Sequence, residues 1–306
     1  MPQAIVTMLP VEFTDTSMKT ILGDDILSKG SLMLVDPTSP ISAWPAGVPE
    51  DNYRLPNLAD ATASRIISGD IRPFVKKEAN MAAGSFIERT AKGGLRVGVA
   101  SGQTVLSGAN LVMPDPILQY ILNNQSHEFY FSTWSYVTQS AQSTSTDEPH
   151  LHIYRGVDQG YPRGGVASIS AQGNWDRPTG GNQTGRYSNN PNNVGSQFRN
   201  IAGHVFGQKN SAGDPLTISD FPQNKHKSLA SFGPANDESL YTASSSVGPG
   251  VGRKLQSWNM YRVYIEDLTV SNRSYSTVHN IDMGLFNKEV VNSGGRYFGD
   301  SWTANP

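Results

Sequence analysis

Two histidines stand two residues apart in the segment HLHIYRGV, as His150 and His152. Residues i and i+2 of a β-strand point to the same face, so both imidazoles would lie side by side. Such a pair can hold Zn²⁺ when a third ligand approaches, and Asp147, Glu148 or His204 could supply it. The alternative is a solvated edge strand, and the chain carries no longer ligand motif that would favour a metal. We therefore predict no metal site, and name His150, His152 and Asp147 as the residues that would form one.

Carboxylate pairs are the second feature that could support catalysis, because glycoside hydrolysis needs two carboxylates roughly 5–10 Å apart. The acidic residues on predicted strands are Glu128, Glu148, Glu266 and Asp267. Glu266 and Asp267 are adjacent and so point to opposite faces, whereas Glu128 has no acidic partner on its strand. The chain also lacks the phosphate-binding loop G-x-x-x-x-G-K-[ST], the nucleophile elbow G-x-S-x-G and any cysteine. We therefore predict no catalytic residues and no enzymatic activity, with a polysaccharide-degrading enzyme as an alternative.

Isolated aromatic residues are the third feature, and they indicate binding rather than catalysis. Trp175 and Tyr187 lie in a segment of Gly, Asn, Pro, Ser and Thr, with no apolar residues around them. Trp44 and Trp302 stand near the two ends of the chain in similar surroundings. Aromatic faces stack on sugars and anchor protein interfaces. We predict that these four residues contact a glycan or another protein; the alternative is that the aromatic loop folds back over the domain as a lid.

Composition limits the partners and favours an all-β fold. The 306 residues include 24 basic and 26 acidic ones, giving a net charge of −2, and no Lys/Arg run exceeds two residues. We therefore expect neither a nucleic acid nor a membrane as a partner. Charged residues make up 16%, against about 25% in a typical domain, and there are 30 Gly and 19 Pro. Such a chain suits strands and turns better than long surface helices.

The chain divides into an arm, a body and a tail. Residues 1–60 are interrupted by Pro37, Pro40, Pro45 and Pro49, which predict an extended N-terminal arm or lead-in rather than a core, although residues 31–35 could form a strand. Residues 61–290 form the predicted body, with a long Gly/Asn-rich loop at about 172–197, and residues 291–306 form a C-terminal tail. The N-terminus has no basic region followed by an apolar run, so we expect no signal peptide and synthesis in a host cytoplasm.

Alternating apolar residues predict the main strands of the body. GGLRVGVASG places Leu95, Val97 and Val99 on one face, and FYFSTWSYVT is aromatic or β-branched on both faces, as in a central strand. HLHIYRGV and GVASISAQ predict shorter strands, and ADATASRIISGD predicts a short helix. ILQYILNN could be either a helix or a strand.

The closing segment NMYRVYIEDLTVSNRSYSTVHNIDMGLF predicts a strand followed by a short helix. Period-two alternation assigns Tyr261, Val263 and Ile265 to one face of the strand and Arg262, Tyr264 and Glu266 to the other. After the polar turn SNRS, Ser276 could cap the helix. The predicted apolar stripe of that helix consists of Val278, Ile281, Leu285 and Phe286.

This ending resembles the close of laminin-G-like, concanavalin A-like jelly rolls, in which a last strand runs through the sandwich and a short helix covers one edge. The resemblance extends over residues 93–286 and implies a jelly-roll β-sandwich that binds glycans or proteins and rarely catalyses. It also implies a possible calcium site at a loop rim, for which Asp147, Asp158 and Asp176 are conceivable ligands. No other cofactor is expected.

The cysteine-free, weakly charged chain with its Pro-rich arm also resembles tail and virion proteins of bacterial viruses. That resemblance implies a structural protein of a virion that binds other virion proteins and copies of itself through its arm and tail. A phage tail, baseplate or fibre-attachment component is the favoured position, and a capsid decoration protein is an alternative. A lectin-like module that binds a host-surface glycan through Trp175 and Tyr187 is the main alternative function.

Overall fold

The computed structural model describes residues 23–40, 44–79, 81–100, 107–139, 149–154, 165–170, 198–205, 215–221, 224, 227–232 and 257–306. Most of its regular structure is β, and every strand pair is antiparallel. The predicted all-β class is therefore confirmed. The strands are β1 (Ser31–Val35), β2 (Phe74–Lys77), β3 (Phe86–Arg89), β4 (Leu95–Gly98), β5 (Ala109–Val112), β6 (Phe129–Gln139), β7 (Pro149–Tyr154), β8 (Gly165–Ser170), β9 (Phe198–Val205), β10 (Lys227–Phe232) and β11 (Ser257–Asp267).

The helices of the described residues are short. They are α1 (Asp60–Ala63), α2 (Asp115–Asn123), α3 (Leu268–Ser271) and α4 (Tyr275–Phe286), with a 3-10 turn at Ile218–Asp220 and a π-helical turn at Asn287–Val291. α2 resolves the ambiguity of ILQYILNN in favour of a helix. Its start is defined by the extended Pro114 and by a proline in the first turn, and its buried face consists of Ile117, Leu118, Ile121 and Leu122. Across the described residues, no helix is long and apolar enough to cross a membrane.

The strands form two sheets that share one core. The six-stranded sheet has the order β3-β4-β11-β6-β9, with β1 paired to β11 beside β4, and the five-stranded sheet has the order β2-β5-β10-β7-β8. Side chains of both sheets meet between them, for example Val97 and Val263 from the first sheet and Val75 and Leu111 from the second. The molecule is therefore a two-layer arrangement whose larger sheet has an inner face, towards this core, and an outer face.

β11 and β6 are the central strands of the larger sheet, as the sequence predicted. β11 pairs with β6 along its whole length, and its other edge pairs with β4 at residues 258–260 and with β1 at residues 263–266. Leu95, Val97 and Val99 are all fully buried in the core between the sheets, which confirms the predicted alternation of that segment.

The predicted facing of β11 is wrong at one position because the strand contains a β-bulge. Met260 lies opposite Ser135 and Arg262 lies opposite Trp134, so Tyr261 is an extra residue in the ladder. Met260, Val263 and Ile265 therefore point into the core between the sheets, whereas Tyr261 lies on the outer face with Arg262. A bulge shifts the alternation by one residue, and a strict period of two cannot reveal it.

The described part of residues 1–60 also differs from the expected lead-in. All of β1 is buried, and Leu32, Met33 and Val35 belong to the core between the sheets. Asn57 holds the following segment against it, because its amide accepts from the N–H of Leu34 at 3.0 Å and donates to the carbonyl of Leu32 at 3.0 Å. The prolines fix turns in this segment, but they do not prevent β1 from pairing with the distant β11.

A covering layer lies on the outer face of the larger sheet. It consists of residues 23–30, α4 and residues 287–306, and two apolar clusters join it to the sheet. Ile26 and Val278 pack with Tyr130 and Tyr264, while Phe286 and Tyr297 pack with Trp134 and Tyr261; Leu34, Ala59, Leu268 and Val290 complete these clusters. The described ends of the chain thus form a third layer, which includes the expected C-terminal helix.

Candidate functional site

Arg262 is the central charge of the outer face. Its guanidinium, on the bulged part of β11, is almost fully buried and lies 4.7 Å from the centre of the Trp134 ring. It binds both carboxylate oxygens of Asp24, at 2.7 and 2.8 Å, and approaches Asp36 at 3.4 Å. Burial by itself disfavours the ionised form of Asp24, but the hydrogen bonds and charge of Arg262 outweigh it and lower the pKa of that carboxyl. The pair therefore fixes residues 23–30 to the sheet.

Asp36 is a fully buried carboxylate that joins the N-terminal strand to the C-terminal tail. It directly follows β1 and accepts hydrogen bonds from Arg296 at 2.9 Å and from the hydroxyl of Tyr297 at 2.9 Å. Arg296 also donates to Glu289 at 2.9 Å. Burial disfavours a charged guanidinium, but the nearby Asp36 and Glu289 raise the pKa of Arg296 above its ordinary value. The buried acid is thus compensated by groups from the last twenty residues of the chain.

Glu266 was considered above as a carboxylate that could support hydrolysis, and its side chain on the outer face is also fully buried. Arg273 forms an ion pair with it, the hydroxyl of Tyr264 donates to it at 2.7 Å, and Ser28 donates to it at 2.9 Å. Arg273 additionally donates to the carbonyl of Ile26 at 2.7 Å. Through these bonds, the carboxylate of Glu266 joins residues 23–30 to the turn between α3 and α4.

Asp267, the neighbour of Glu266, binds a histidine that the sequence did not single out. The Nδ1 atom of His127 lies 2.7 Å from Asp267, and the hydroxyl of Tyr120 on α2 donates to the same carboxylate oxygen at 2.9 Å. The second oxygen accepts from the N–H of Val270 and so caps α3. Because His127 and Asp267 are 140 residues apart, no local pattern could have predicted this pair. The arrangement orients the imidazole and joins α2 to the end of β11.

The last seven residues, 300–306, which we call the strap, lie on the outer face against β3, β4 and β6. We call the surface beneath them, formed by Glu88, Arg96 and Tyr136, the groove. Arg96, on β4, is buried beneath the strap and donates to the carbonyl of Thr303 at 2.8 Å and to the side chain of Asn305 at 2.6 Å. Thr303 in turn donates to Glu88 on β3 at 2.7 Å. Trp302 lies against Tyr136 of β6, with ring centres 4.5 Å apart. One of the predicted contact residues therefore packs on its own chain and is only partly exposed.

Trp44, the other predicted contact residue that the structure describes, is half-buried against the core between the sheets. The guanidinium of Arg89 lies 5.3 Å from the centre of its indole ring. Its indole N–H is buried and has no hydrogen-bond partner among the described residues. Trp302 lies near a different arginine, because the guanidinium of Arg96 is 6.0 Å from the centre of its ring, so no shared contact brings Trp44 and Trp302 together.

The other predicted site residues lie largely outside the described residues. Trp175, Tyr187, Asp147, Asp158 and Asp176 are in segments that the structure does not describe. His150 and His152 lie on β7 with the spacing that was predicted, but the structure describes only their backbone. Within the described ranges, no group of three or more His, Cys, Asp or Glu residues could hold a metal ion.

The site that the described residues do define is thus the outer face, where buried acids, arginines and tyrosines bind the first and the last described segments of the chain. Comparison with protein-family models, curated proteins and solved structures finds no match to this chain.

Proposed function

We propose that this chain is a non-enzymatic structural protein of a viral particle, namely a phage tail, baseplate or fibre-attachment component that binds other virion proteins and copies of itself. Its body is proposed to be a concanavalin A-like jelly roll. The viral setting rests on the resemblance in composition and organisation described above.

The order of the strands supports the jelly-roll assignment. From β5 to β7 and again from β8 to β11, the chain passes back and forth between the two sheets. Such crossing is typical of Greek-key and jelly-roll sandwiches, in which consecutive strands belong to opposite layers. The helix that follows β11 and packs on the larger sheet agrees with the ending of that family.

The observation that carries the proposed function is the way in which the outer face uses its charges. Asp36, Glu266 and Arg262 are buried and bind segments of the same chain, which leaves them unsuited to bind a substrate. The covering layer above them exposes apolar side chains instead: Val291 is 51% exposed and Phe298 is 44% exposed. A covering layer that exposes apolar side chains fits a protein interface.

Light scattering after gel filtration tests this proposal. We expect the unmodified chain to form oligomers, and the double variant Val291→Ser with Phe298→Ser to dissociate at concentrations at which the unmodified chain is assembled. Because both side chains are exposed, the variant should retain its fold, which circular dichroism and a thermal unfolding curve would check. Ile66→Ser is the matched control, since Ile66 is 38% exposed but belongs to the turn after α1.

A chain that stays monomeric at all concentrations, and that immunogold labelling does not detect on purified viral particles from its source, would overturn the proposal. Release of reducing sugar from an exopolysaccharide by the purified chain would contradict the non-enzymatic assignment.

A further inference from the structure

The strap is held to the body mainly by polar bonds, whereas apolar burial holds the segment before it. Phe286, Val290 and Tyr297 are buried in the cluster on the outer face, whereas no residue of 300–306 is buried. Trp302 is the one large apolar side chain of the strap. Polar bonds supply most of its remaining contacts. The backbone carbonyl of Ser301 accepts from the N–H of Ala91 at 2.9 Å, and the Asp300 carboxylate accepts from the N–H of Lys92 at 2.7 Å and from the hydroxyl of Tyr261 at 2.8 Å. Few apolar contacts would be lost if the strap left its groove.

The groove contains a buried guanidinium that requires hydrogen-bond acceptors from a segment lying over it. Arg96 is buried, and two of the acceptors of its Nη2 atom, the carbonyl of Thr303 and the side chain of Asn305, belong to the strap. Its partners from the sheet itself are Glu88, the Thr138 hydroxyl and the side-chain carbonyl of Asn259. Burial lowers the pKa of Arg96, and the charge of Glu88 opposes that effect only in part. A guanidinium in this position favours any segment that restores the missing acceptors.

The connection to the strap contains a glycine at which the backbone can turn. Gly299 immediately precedes residues 300–306 and adopts a positive φ of 68°. Glycine reaches this left-handed conformation and its alternatives at little cost, so the chain can turn at this point without rearranging the buried Tyr297. Hinge loops of this kind are where identical segments exchange between copies of a chain.

We propose that the strap of one copy occupies the groove of a second copy, so that residues 300–306 join neighbouring subunits. This inference rests on the proposed function, and it names the partner and the contact. A strap from an identical chain offers the same Thr303 carbonyl, the same Asn305 amide and the same Trp302 ring as the chain's own strap. Exchange therefore preserves every contact of the groove, and assembly is favoured by the additional surface that the neighbouring bodies bury.

Cross-linking between chains tests the exchange, and the absence of natural cysteine makes it specific. One chain carries Glu88→Cys in the groove and the other carries Thr303→Cys in the strap, at positions whose side chains are hydrogen-bonded in the structure. The two full-length chains are mixed and treated with a short bis-maleimide. We expect a covalent heterodimer to form on the order of tenfold faster than with the control pair, because a docked strap has an effective concentration of about millimolar.

The control pair combines Glu88→Cys with Ser126→Cys, which is exposed on the turn after α2. Adding Trp302→Ala to the Thr303→Cys chain should slow the cross-link, since the substitution removes the contact with Tyr136 without altering the core. A chain that carries both Glu88→Cys and Thr303→Cys distinguishes a strap bound to its own chain from a strap bound to a second copy. A strap that remains bound to its own chain gives only an intramolecular product.

An intramolecular product, together with a heterodimer yield no higher than that of the control pair, would overturn the exchange. If light scattering still shows oligomers of the unmodified chain in that case, the proposed function stands and only the identity of the contact is wrong. If the unmodified chain is monomeric throughout, the exchange is wrong, and the proposed function is wrong as well if immunogold labelling does not detect the chain on viral particles.

Discussion

Asp282 is a carboxylate on the buried face of α4, where an amphipathic helix ordinarily carries an apolar side chain. It accepts a hydrogen bond from the hydroxyl of Tyr130 at 2.7 Å and another from the indole N–H of Trp134 at 3.0 Å. Both donors come from β6, so the carboxylate fixes the helix above one strand and in one register. Burial raises the pKa of Tyr130 far above its ordinary value, and the negative charge of Asp282 adds to this effect.

Replacing Asp282 by alanine should destabilise the protein. The substitution leaves the buried Tyr130 and Trp134 donors without their acceptor, at about 1–3 kcal/mol for each donor. We expect the free energy of unfolding to fall by about 3 kcal/mol in urea denaturation followed by tryptophan fluorescence. Asn280→Ala, at an exposed position of the same helix, is the control and should have little effect. Equal stability of the two variants would show that Asp282 does not anchor α4.

The ion pair of Asp24 with Arg262 predicts a pH dependence. The pKa of Asp24 lies below its ordinary value of 3.8, so its ionised form contributes stability above about pH 4, and this contribution is lost as the pH falls through the folded-state pKa. We expect Asp24→Asn to lower the free energy of unfolding by about 3 kcal/mol at pH 7. The substitution leaves the buried Arg262 guanidinium with Asp36, at 3.4 Å, as its remaining carboxylate partner.

Denaturation curves at several pH values check this expectation. The difference between the unmodified chain and Asp24→Asn should shrink as the pH falls below 4. Asp25→Asn serves as the control, because Asp25 is the exposed neighbour of Asp24. A difference that stays constant down to the lowest measurable pH would argue against an ionised Asp24 in the folded state.

The N-cap and the buried face of α4 differ in part from what the sequence predicted. The sequence predicted Ser276 as the capping residue, but Ser274 is the N-cap, and its hydroxyl accepts from the N–H of Thr277 at 3.1 Å. The buried residues of the helix are Val278, Asp282 and Phe286, so the predicted stripe is correct at both of its ends. Ile281 and Leu285 pack at its side and are only partly buried.

Alanine substitutions distinguish the two serines. We expect Ser274→Ala to cost about 1 kcal/mol, which is typical for the loss of a side-chain cap, and Ser276→Ala to change stability by less than about 0.5 kcal/mol. Thermal unfolding monitored by circular dichroism provides the measurement. If Ser276→Ala proves the more costly substitution, the helix begins later in solution than in the structure.

The bulge in β11 determines which of its side chains lie on the outer face. It places Tyr261 and Arg262 on the same outer face, so that Tyr261 can donate to Asp300 at 2.8 Å while Arg262 binds Asp24. Without the extra residue, Tyr261 would point into the core between the sheets. Bulges depend on the partner strand as well as on local sequence, which explains why alternation alone predicted the strand but assigned this residue to the wrong face.

At the scale of the molecule, the first and last segments of the chain are joined across the larger sheet. β1 pairs with β11, Asp36 binds Arg296 and Tyr297, and the N–H of Asp267 donates to the carbonyl of Gly30 at 2.9 Å. These contacts connect residues more than 200 positions apart in sequence. Unfolding should therefore be cooperative between the described N-terminal and C-terminal segments.

A substitution at Gly30 tests whether residues 23–30 pack against the end of β11. A methyl group at that position would collide with the carbonyl oxygen of Asp267 and lie 2.8 Å from the backbone nitrogen of Ser271, neither of which can move as a side chain could. We expect Gly30→Ala to destabilise the protein by about 3 kcal/mol, at the upper end of typical overpacking costs.

Gly23→Ala is the matched control, because no atom of the described residues lies within 4 Å of its added methyl group. Urea denaturation of both variants measures the difference. An unchanged midpoint for Gly30→Ala would mean that residues 23–30 do not approach β11 as closely as the structure describes.

The sequence by itself determined the fold class, the central strands and the closing strand with its helix. The fold class follows from composition, and the elements follow from short-range patterns. These patterns are the alternation in β4 and β11, the aromatic and β-branched run in β6 and the 3.6-residue stripe in α4. Only the tertiary structure decided that β1 belongs to the core, that Tyr261 faces outwards, and that Asp24, Asp36 and Asp282 are buried. A charged or polar residue can be buried only where distant partners supply its hydrogen bonds, and those partners are specified by the packing of the whole chain.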